Sequence, residues 1–254
     1  MKNRFATDLF LLMQGLGSTA LVAQGISATD IIRKADENIN GEKSSYSVMA
    51  MTIIRPGWQR SIEFKSWTLG RDYALTLITA PPKETGQSFL KRGSEMWSWN
   101  PSISRLIRLP PSMMSQGWMG SDYTNDDILR ESSVVKDYTH EIIGEENLGG
   151  RLCYKIKMTA REDASIVWGK QIRWIDKKDF LILKVELYDE DGYLVRTETG
   201  SDIKIMDGRT ITTKIELVPE EEPENKTLVE IREIKFNIPV GESYFSQQNM
   251  KRVR

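Results

Sequence analysis

Residues 152–158 read LCYKIKM, so that an apolar side chain stands at every second position. A period of two is the spacing of a β-strand that buries one face. The same alternation returns along the second half of the chain, at residues 166–174, 181–187, 193–205, 210–217 and 227–236. Asp191-Gly192 and Asp207-Gly208 are dipeptides that two-residue hairpin turns favour. The sequence therefore predicts an antiparallel β-meander.

The first half of the chain continues this pattern less regularly. Further strands are predicted at residues 44–54, 62–65, 73–78, 87–90, 95–99 and 104–109, so that twelve stretches in all predict a meander of about ten strands. The first of these is apolar at both alternating sets of positions, and such a strand needs a cover on each side of the sheet. One cover is expected to be helical. The other side can line a cavity or pack into a thick core.

One helix is predicted before the first strand. Its apolar stripe consists of Ala28, Ile31, Ile32, Ala35 and Ile39. This spacing is helical. Ser27 or Thr29 can cap the start, Asp30 suits the first turn, and Asn40-Gly41 ends it. A helix of about three turns with one apolar face must lie on a sheet.

The meander is interrupted between Pro110 and Glu131, where no alternation is found. A connection of this length inside a compact domain is usually functional or disordered. Its Met and Trp content argues against disorder, so this segment is expected to be ordered and functional.

Composition excludes several classes of protein. The chain has 254 residues, with 35 basic and 36 acidic ones and a formal net charge of −1, and a nucleic-acid surface would need a basic excess. No apolar run reaches the ~20 residues of a membrane span. Lys2 and Arg4 precede an apolar stretch, an order typical of a secretory signal. We therefore expect a signal peptide in residues 1–25, one domain over residues 26–254, and an exported, soluble periplasmic protein.

Few residues suit catalysis. The one histidine, His140, lies in a strand-like stretch at residues 138–142, and we interpret it as an exposed strand residue; Cys153 is interpreted as a packing residue. Asp122, Asp126 and Asp127 form the one carboxylate cluster that could suggest a hydrolase or calcium site, but residues 124–129 also read as a helix start. We expect no enzyme, no cofactor and no metal.

Methionine and tryptophan provide the positive signal, with eleven and seven residues respectively. Flexible thioethers adapt to varied apolar shapes. The residues expected to line a cavity or its lid are Met49, Met51, Ile53, Trp67, Phe89, Trp97, Trp99, Met113, Met114, Trp118 and Met119. Composition alone leaves a second interpretation open, in which these side chains simply fill a thick core.

The segment from Gly86 to Ile128 carries a family resemblance. It contains Phe89-Leu90, Gly93, Met96-Trp97, Pro101, Arg105, Arg108 and Pro110, followed by Met119-Gly120-Ser121-Asp122-Tyr123 and Asp127-Ile128. Together these motifs resemble the outer-membrane lipoprotein-sorting family, the LolA-like proteins. The motif covers about 45 residues, and the fold-level match is expected over the whole mature chain.

The resemblance implies a mainly β protein, an incomplete barrel made by a strongly curved antiparallel sheet wrapped over short helices, as in LolA and LolB. It implies a periplasmic carrier that binds a lipid or the acyl chains of a lipoprotein for envelope trafficking. An inner-membrane export transporter is a further expected partner, and contact with membranes would be peripheral. The alternative is a non-catalytic adaptor subunit of an envelope transporter. Arg105 and Arg108, three residues apart, should face opposite sides of a regular strand; either could contact a headgroup or pin the lid.

Overall fold

The computed structural model describes residues 25–40, 43–129, 134–164 and 167–254. Apart from Gly25, the predicted signal peptide lies outside these residues. No helix in the described ranges is long and apolar enough to cross a membrane.

Thirteen antiparallel strands form one continuous sheet in the order β6-β5-β4-β3-β2-β1-β13-β12-β11-β10-β9-β8-β7. The sheet does not close, and β6 and β7 are its two edges. The strands are β1 (Ser44–Arg55), β2 (Trp58–Leu69), β3 (Tyr73–Ala80), β4 (Ser88–Arg92), β5 (Glu95–Asn100), β6 (Arg105–Arg108), β7 (Tyr138–Leu148), β8 (Arg151–Ala160), β9 (Lys170–Asp176), β10 (Ile182–Tyr188), β11 (Leu194–Met206), β12 (Arg209–Pro219) and β13 (Lys226–Phe236). The predicted fold class, a curved and incomplete antiparallel barrel, is confirmed.

Three strands differ from the sequence prediction by four or more residues at one end. β2 is one of them, because it runs over Trp58–Leu69 where only residues 62–65 were predicted. β9 begins at Lys170, so Trp168 precedes the strand, and residue 166 of the predicted strand lies outside the described residues. β7 runs over eleven residues, well beyond the predicted stretch around His140, because an edge strand with polar residues on both faces shows no apolar period. The Asp207-Gly208 turn is as predicted, with both residues at positive φ between β11 and β12.

The helix α1 (Ala28–Asn40) lies against the concave face of β7 to β9, which we call the inner face. The Ser27 hydroxyl accepts a hydrogen bond from the Asp30 main chain and caps the helix. Ile31, Ile32 and Ala35 are buried against Ile156, Met158 and Ile175 of the sheet. Ile39 from the predicted apolar stripe is instead 41% exposed, because it lies near the end of the helix beyond these contacts.

Two segments cover the other half of the sheet. Residues 110–129, which we call the insert, contain two 3₁₀ turns, Pro111–Met113 and Trp118–Gly120, and the short helix α2 (Asn125–Leu129). The insert packs on the inner face. Residues 237–254, the C-terminal segment, contain the 3₁₀ turn Glu242–Tyr244 and the helix α3 (Gln247–Met250), and they pack on the opposite, outer face.

Candidate functional site

The candidate site is the part of the inner face between α1 and the insert. Strand register places Met49, Ile215, Val229 and Ile231 here, since Met49 pairs with Ile231 and Ile215 pairs with Val229. All four side chains are half-buried, while the inner-face residues under α1 and the insert are buried. We call these four residues, with Arg173 and Glu198, the central inner face. Its four apolar side chains form a surface that α1 and the insert leave partly uncovered.

A charged pair lies at one side of this surface. Arg173 of β9 and Glu198 of β11 flank Val185, which pairs with both, so their main chains are about 10 Å apart. Burial lowers the pKa of the Arg173 guanidinium, and it raises the pKa of the Glu198 carboxyl. Both side chains nevertheless keep accessible surface, 19% in the case of Glu198. Both groups are therefore partly desolvated and can still be reached from outside the protein.

Arg173 is held in place by a chain of neutral hydrogen bonds. Its Nε and Nη2 atoms donate to the Gln171 Oε1 atom at 3.0 and 2.8 Å. The Gln171 amide donates to the Tyr138 hydroxyl at 2.9 Å, and that hydroxyl donates to the Trp168 carbonyl at 3.1 Å. The guanidinium is therefore oriented without a carboxylate partner: within the described ranges, no acidic side chain lies at ion-pair distance from it.

The insert is attached to the sheet by buried ion pairs. Arg196 of β11 donates to Asp127 at 2.7 Å, and the Trp168 indole donates to the same carboxylate at 3.1 Å. Burial acts to raise the pKa of Asp127, but Arg196 and the bonds from Thr124 outweigh it and lower the pKa. At the other side of the insert, Arg55 donates to both carboxylate oxygens of Asp122, at 3.1 and 2.8 Å.

A third ion pair connects α1 to the hairpin of β2 and β3. Asp36 of α1 pairs with Arg71, which lies in the turn between β2 and β3. The Asp36 side chain is 12% exposed and the Arg71 side chain is 32% exposed. This contact joins the helix on one half of the sheet to a hairpin on the other half, beside the central inner face.

Seven of the predicted cavity or lid residues meet in one cluster at the insert. They are Met49, Met51, Ile53, Phe89, Met114, Trp118 and Met119. Trp118 is 4% exposed and lies edge-on between Phe64 and Phe89, with ring centroids at 5.6 and 5.4 Å. Met49 is half-buried and belongs both to this cluster and to the central inner face; under the insert itself the protein's own side chains fill the space. Met113 stands beside the cluster, where its carbonyl accepts a bond from the Asn125 amide at 2.9 Å.

The structure separates three predicted residues from this group. Trp67, Trp97 and Trp99 lie on the outer face, packed with the C-terminal segment around Phe245. In β5 Met96 joins the inner cluster, and its neighbour Trp97 therefore points to the other side. These tryptophans are not brought together with the inner-face methionines.

Arg105 and Arg108 lie at the edge strand β6. Register pairs Arg105 with Asn100 and Arg108 with Trp97, which places the two arginines on opposite faces, as their spacing predicted. Arg108 pairs with Glu95 at 2.5 Å, and its side chain is 64% exposed. Arg105 is exposed as well. Neither residue contacts the central inner face.

The carboxylates and the histidine take structural positions. Asp127 and Thr124 bond each other's main chains at the start of α2, so the predicted helix start is confirmed. Within the described ranges no group of acidic, histidine or cysteine side chains could hold a metal. His140 is half-buried rather than exposed: it bonds the Thr29 hydroxyl at 3.1 Å and the Val134 carbonyl at 2.7 Å. Cys153 is buried.

Sequence reasoning missed Arg173, Arg196 and Glu198. Isolated charged residues in a strand are normally solvated, so nothing in a period-two pattern marks them as inward-facing. Register could have found them: each occupies the alternating position that is apolar in the paired strand, as with Arg173 opposite Ile156.

The sheet, its inner helix and its covering insert define the class of half-barrel, LolA-like folds. A family model whose description reads "Uncharacterized protein" matches residues 70–252, and the chain belongs to that family. No curated protein matches the sequence.

Solved structures show the same architecture. A DUF1329 family protein from Desulfovibrio piger is 25% identical, with a TM-score of 0.79 over 88% of this chain and 97% of that one. An outer membrane lipoprotein-sorting protein domain from Vibrio parahaemolyticus is 21% identical, with a TM-score of 0.77 over 89% and 98%. A LolA superfamily protein from Nitrosomonas europaea is 23% identical, with a TM-score of 0.74 over 88% and 99%. The predicted resemblance is confirmed.

Proposed function

We propose that this protein is a non-catalytic periplasmic carrier that binds a lipid or the acyl chains of a lipoprotein on its central inner face. The observation that carries this proposal is the set of half-buried apolar side chains at Met49, Ile215, Val229 and Ile231 inside a curved sheet. Burying an acyl chain there would contribute about 0.8 kcal/mol per methylene. Two structural neighbours, an outer membrane lipoprotein-sorting protein domain and a LolA superfamily protein, support the same class of ligand.

Ligand retention tests the proposal. The protein purified from the periplasm is expected to carry apolar ligand, visible as added mass in native mass spectrometry and recovered by solvent extraction. Ile231→Trp fills the proposed surface and should abolish retention. Ile205→Trp, at a position 77% exposed on the outer face, is the matched control and should leave it unchanged. A protein that is ligand-free and takes up no added acyl chain would contradict carriage.

Export is a separate part of the proposal. Fusion of residues 1–25 to a reporter that is active only in the periplasm should give activity, and Lys2→Glu/Arg4→Glu should reduce it because the basic start of a signal is lost. Cytoplasmic full-length protein with its N-terminus intact would argue against this localisation.

The alternative function is an adaptor subunit of an envelope transporter. The observation that favours it is the filled wall under the insert, where Trp118, Met114 and Met119 occupy the space that a ligand would take. An adaptor should co-purify with a membrane transporter and should bind no acyl chain. Co-purification together with ligand retention would support the carrier.

A further inference from the structure

The central inner face joins an apolar surface to a cation that has no carboxylate partner among the described residues. Arg173 bonds the neutral Gln171 oxygen through Nε and Nη2, and in the described part of the chain Nη1 and one Nη2 proton have no acceptor. A buried guanidinium is normally paired with an anion, since burial of an unpaired charge is costly. Packing among the described side chains does not explain why Arg173 has no carboxylate partner there.

The charged side chains described around Arg173 do not supply the anion that it would pair with. Glu198 and Asp36 act on it through space, and Arg71 opposes them. Glu198 instead accepts a bond from Arg196 at 3.0 Å, and Asp36 pairs with Arg71. Burial outweighs the favourable charges and lowers the pKa of Arg173. An anion brought to its free N–H groups would therefore gain a strong interaction.

The surroundings limit the shape of such an anion. Val185 is the inner-face neighbour of Arg173 on β10, and Ile156 is its neighbour on β8. Beyond Glu198 the surface continues as Ile215 and Val229. A ligand that satisfies both parts of this surface has one anionic group and a long apolar chain.

We propose that the central inner face binds an anionic amphiphile, with its carboxylate or phosphate bonded to Arg173 and its acyl chain along Ile215, Val229 and Ile231. This inference rests on the proposed carrier function and makes it more specific. Arginine bonds carboxylates and phosphates in the same forked geometry, so the two headgroups share the recognition. The triacylated end of a lipoprotein has no such anion, and the preferred cargo is accordingly a lipid.

Three ligands of equal chain length test the inference on the full-length delipidated protein: hexadecanoate, hexadecyl phosphate and hexadecanol. Affinities are measured below the micelle concentration by displacement of a fluorescent fatty acid. At least one anion should bind about ten- to a hundred-fold more tightly than the alcohol, the usual gain of a charge-assisted bond. Which of the two binds more tightly identifies the headgroup.

Arg173→Met should remove this preference, so that the anions bind no more tightly than the alcohol. Arg232→Met, an exposed arginine on the outside of the sheet, is the matched control and should keep the preference. Glu198→Gln should tighten anion binding several-fold, because the nearest carboxylate loses its charge. This second variant keeps the test decisive if Arg173→Met does not fold.

The outcomes separate the two proposals. Equal binding of the anions and the alcohol, or a preference that survives in Arg173→Met, would overturn the anion site and leave carriage standing. Binding of none of the three ligands would overturn carriage, and the anion site with it.

Discussion

Arg196 and Asp127 form an ion pair of 2.7 Å between strand β11 and the insert, and both side chains are nearly buried, at 7% and 11% exposure. The pair joins a segment without regular strand structure to the middle of the sheet. Its strength determines how firmly the insert is held against the inner wall.

Arg196→Met is expected to destabilise the protein by about 3–5 kcal/mol, because Asp127 is then buried without its cation. The free energy of urea unfolding measures the loss, and limited proteolysis should show faster cleavage within residues 110–129. Asp127→Asn combined with Arg196→Met should recover part of the stability. Arg232→Met, which removes an exposed pair with Glu63, should cost less than about 1 kcal/mol. Equal losses for the two single arginine variants would refute the buried-pair argument.

Trp118→Ala should remove the side chain that fills the wall between Phe64 and Phe89. The expected cost is about 3–5 kcal/mol, as for other buried aromatic truncations. The space created should raise the binding of an apolar fluorescent dye. Trp58→Ala is the matched control, because Trp58 is 52% exposed, and it should change neither quantity appreciably.

The pH dependence of stability should contain a contribution from His140. Burial lowers its pKa from 6.5, against the opposing effect of the Val134 carbonyl bond. The unfolded chain therefore binds the proton more readily than the folded protein, and this stability is present above pH 6.5 and is lost as the pH falls through the lowered value. His140→Gln should remove that part of the slope between pH 8 and 5 in urea unfolding. A difference between the two proteins that stays constant with pH would contradict the assignment.

Phe245→Ala should loosen the C-terminal segment from the outer face. Phe245 is fully buried beside Tyr73 and Tyr244, at 5.6 Å between ring centroids in each case. We expect a loss of about 3–5 kcal/mol and faster amide exchange in β4, whose Ser88 hydroxyl bonds the Met250 carbonyl. Tyr193→Ala, at a position 72% exposed, is the control and should leave both unchanged.

Much of the fold could be predicted from the sequence because alternation and turn dipeptides are local signals. The strands of the second half, the helix start at Ser27 and the irregular insert all follow from them. The faces of the first half could not be assigned. Where both alternating sets are apolar, as in β1 and β5, the period does not show which set points inward. Trp97 was therefore predicted to line the cavity, whereas the structure places Met96 on the inner face and Trp97 on the outer face.

The candidate site was predictable only in part. Met49 was identified by its side-chain type, and it lies on the central inner face. Arg173 and Glu198 were not identified, because their positions depend on the pairing of β9, β10 and β11 across the sheet rather than on neighbours along the chain. The role of residues 237–254 as a cover was missed for a similar reason. Their contacts are with strands more than a hundred residues away.

The two unpaired edges of the sheet, β6 and β7, have a mechanical consequence. In a closed barrel the number of strands and their stagger fix the circumference of the barrel and therefore the diameter of its interior. Among the strands that the structure describes, no ladder of main-chain hydrogen bonds joins β6 at one edge of the sheet to β7 at the other. A small change of twist shared among thirteen strands can widen or narrow the space inside the sheet without breaking an interstrand bond, so the width of this space is set by α1, the insert and the Asp36–Arg71 contact rather than by the strands.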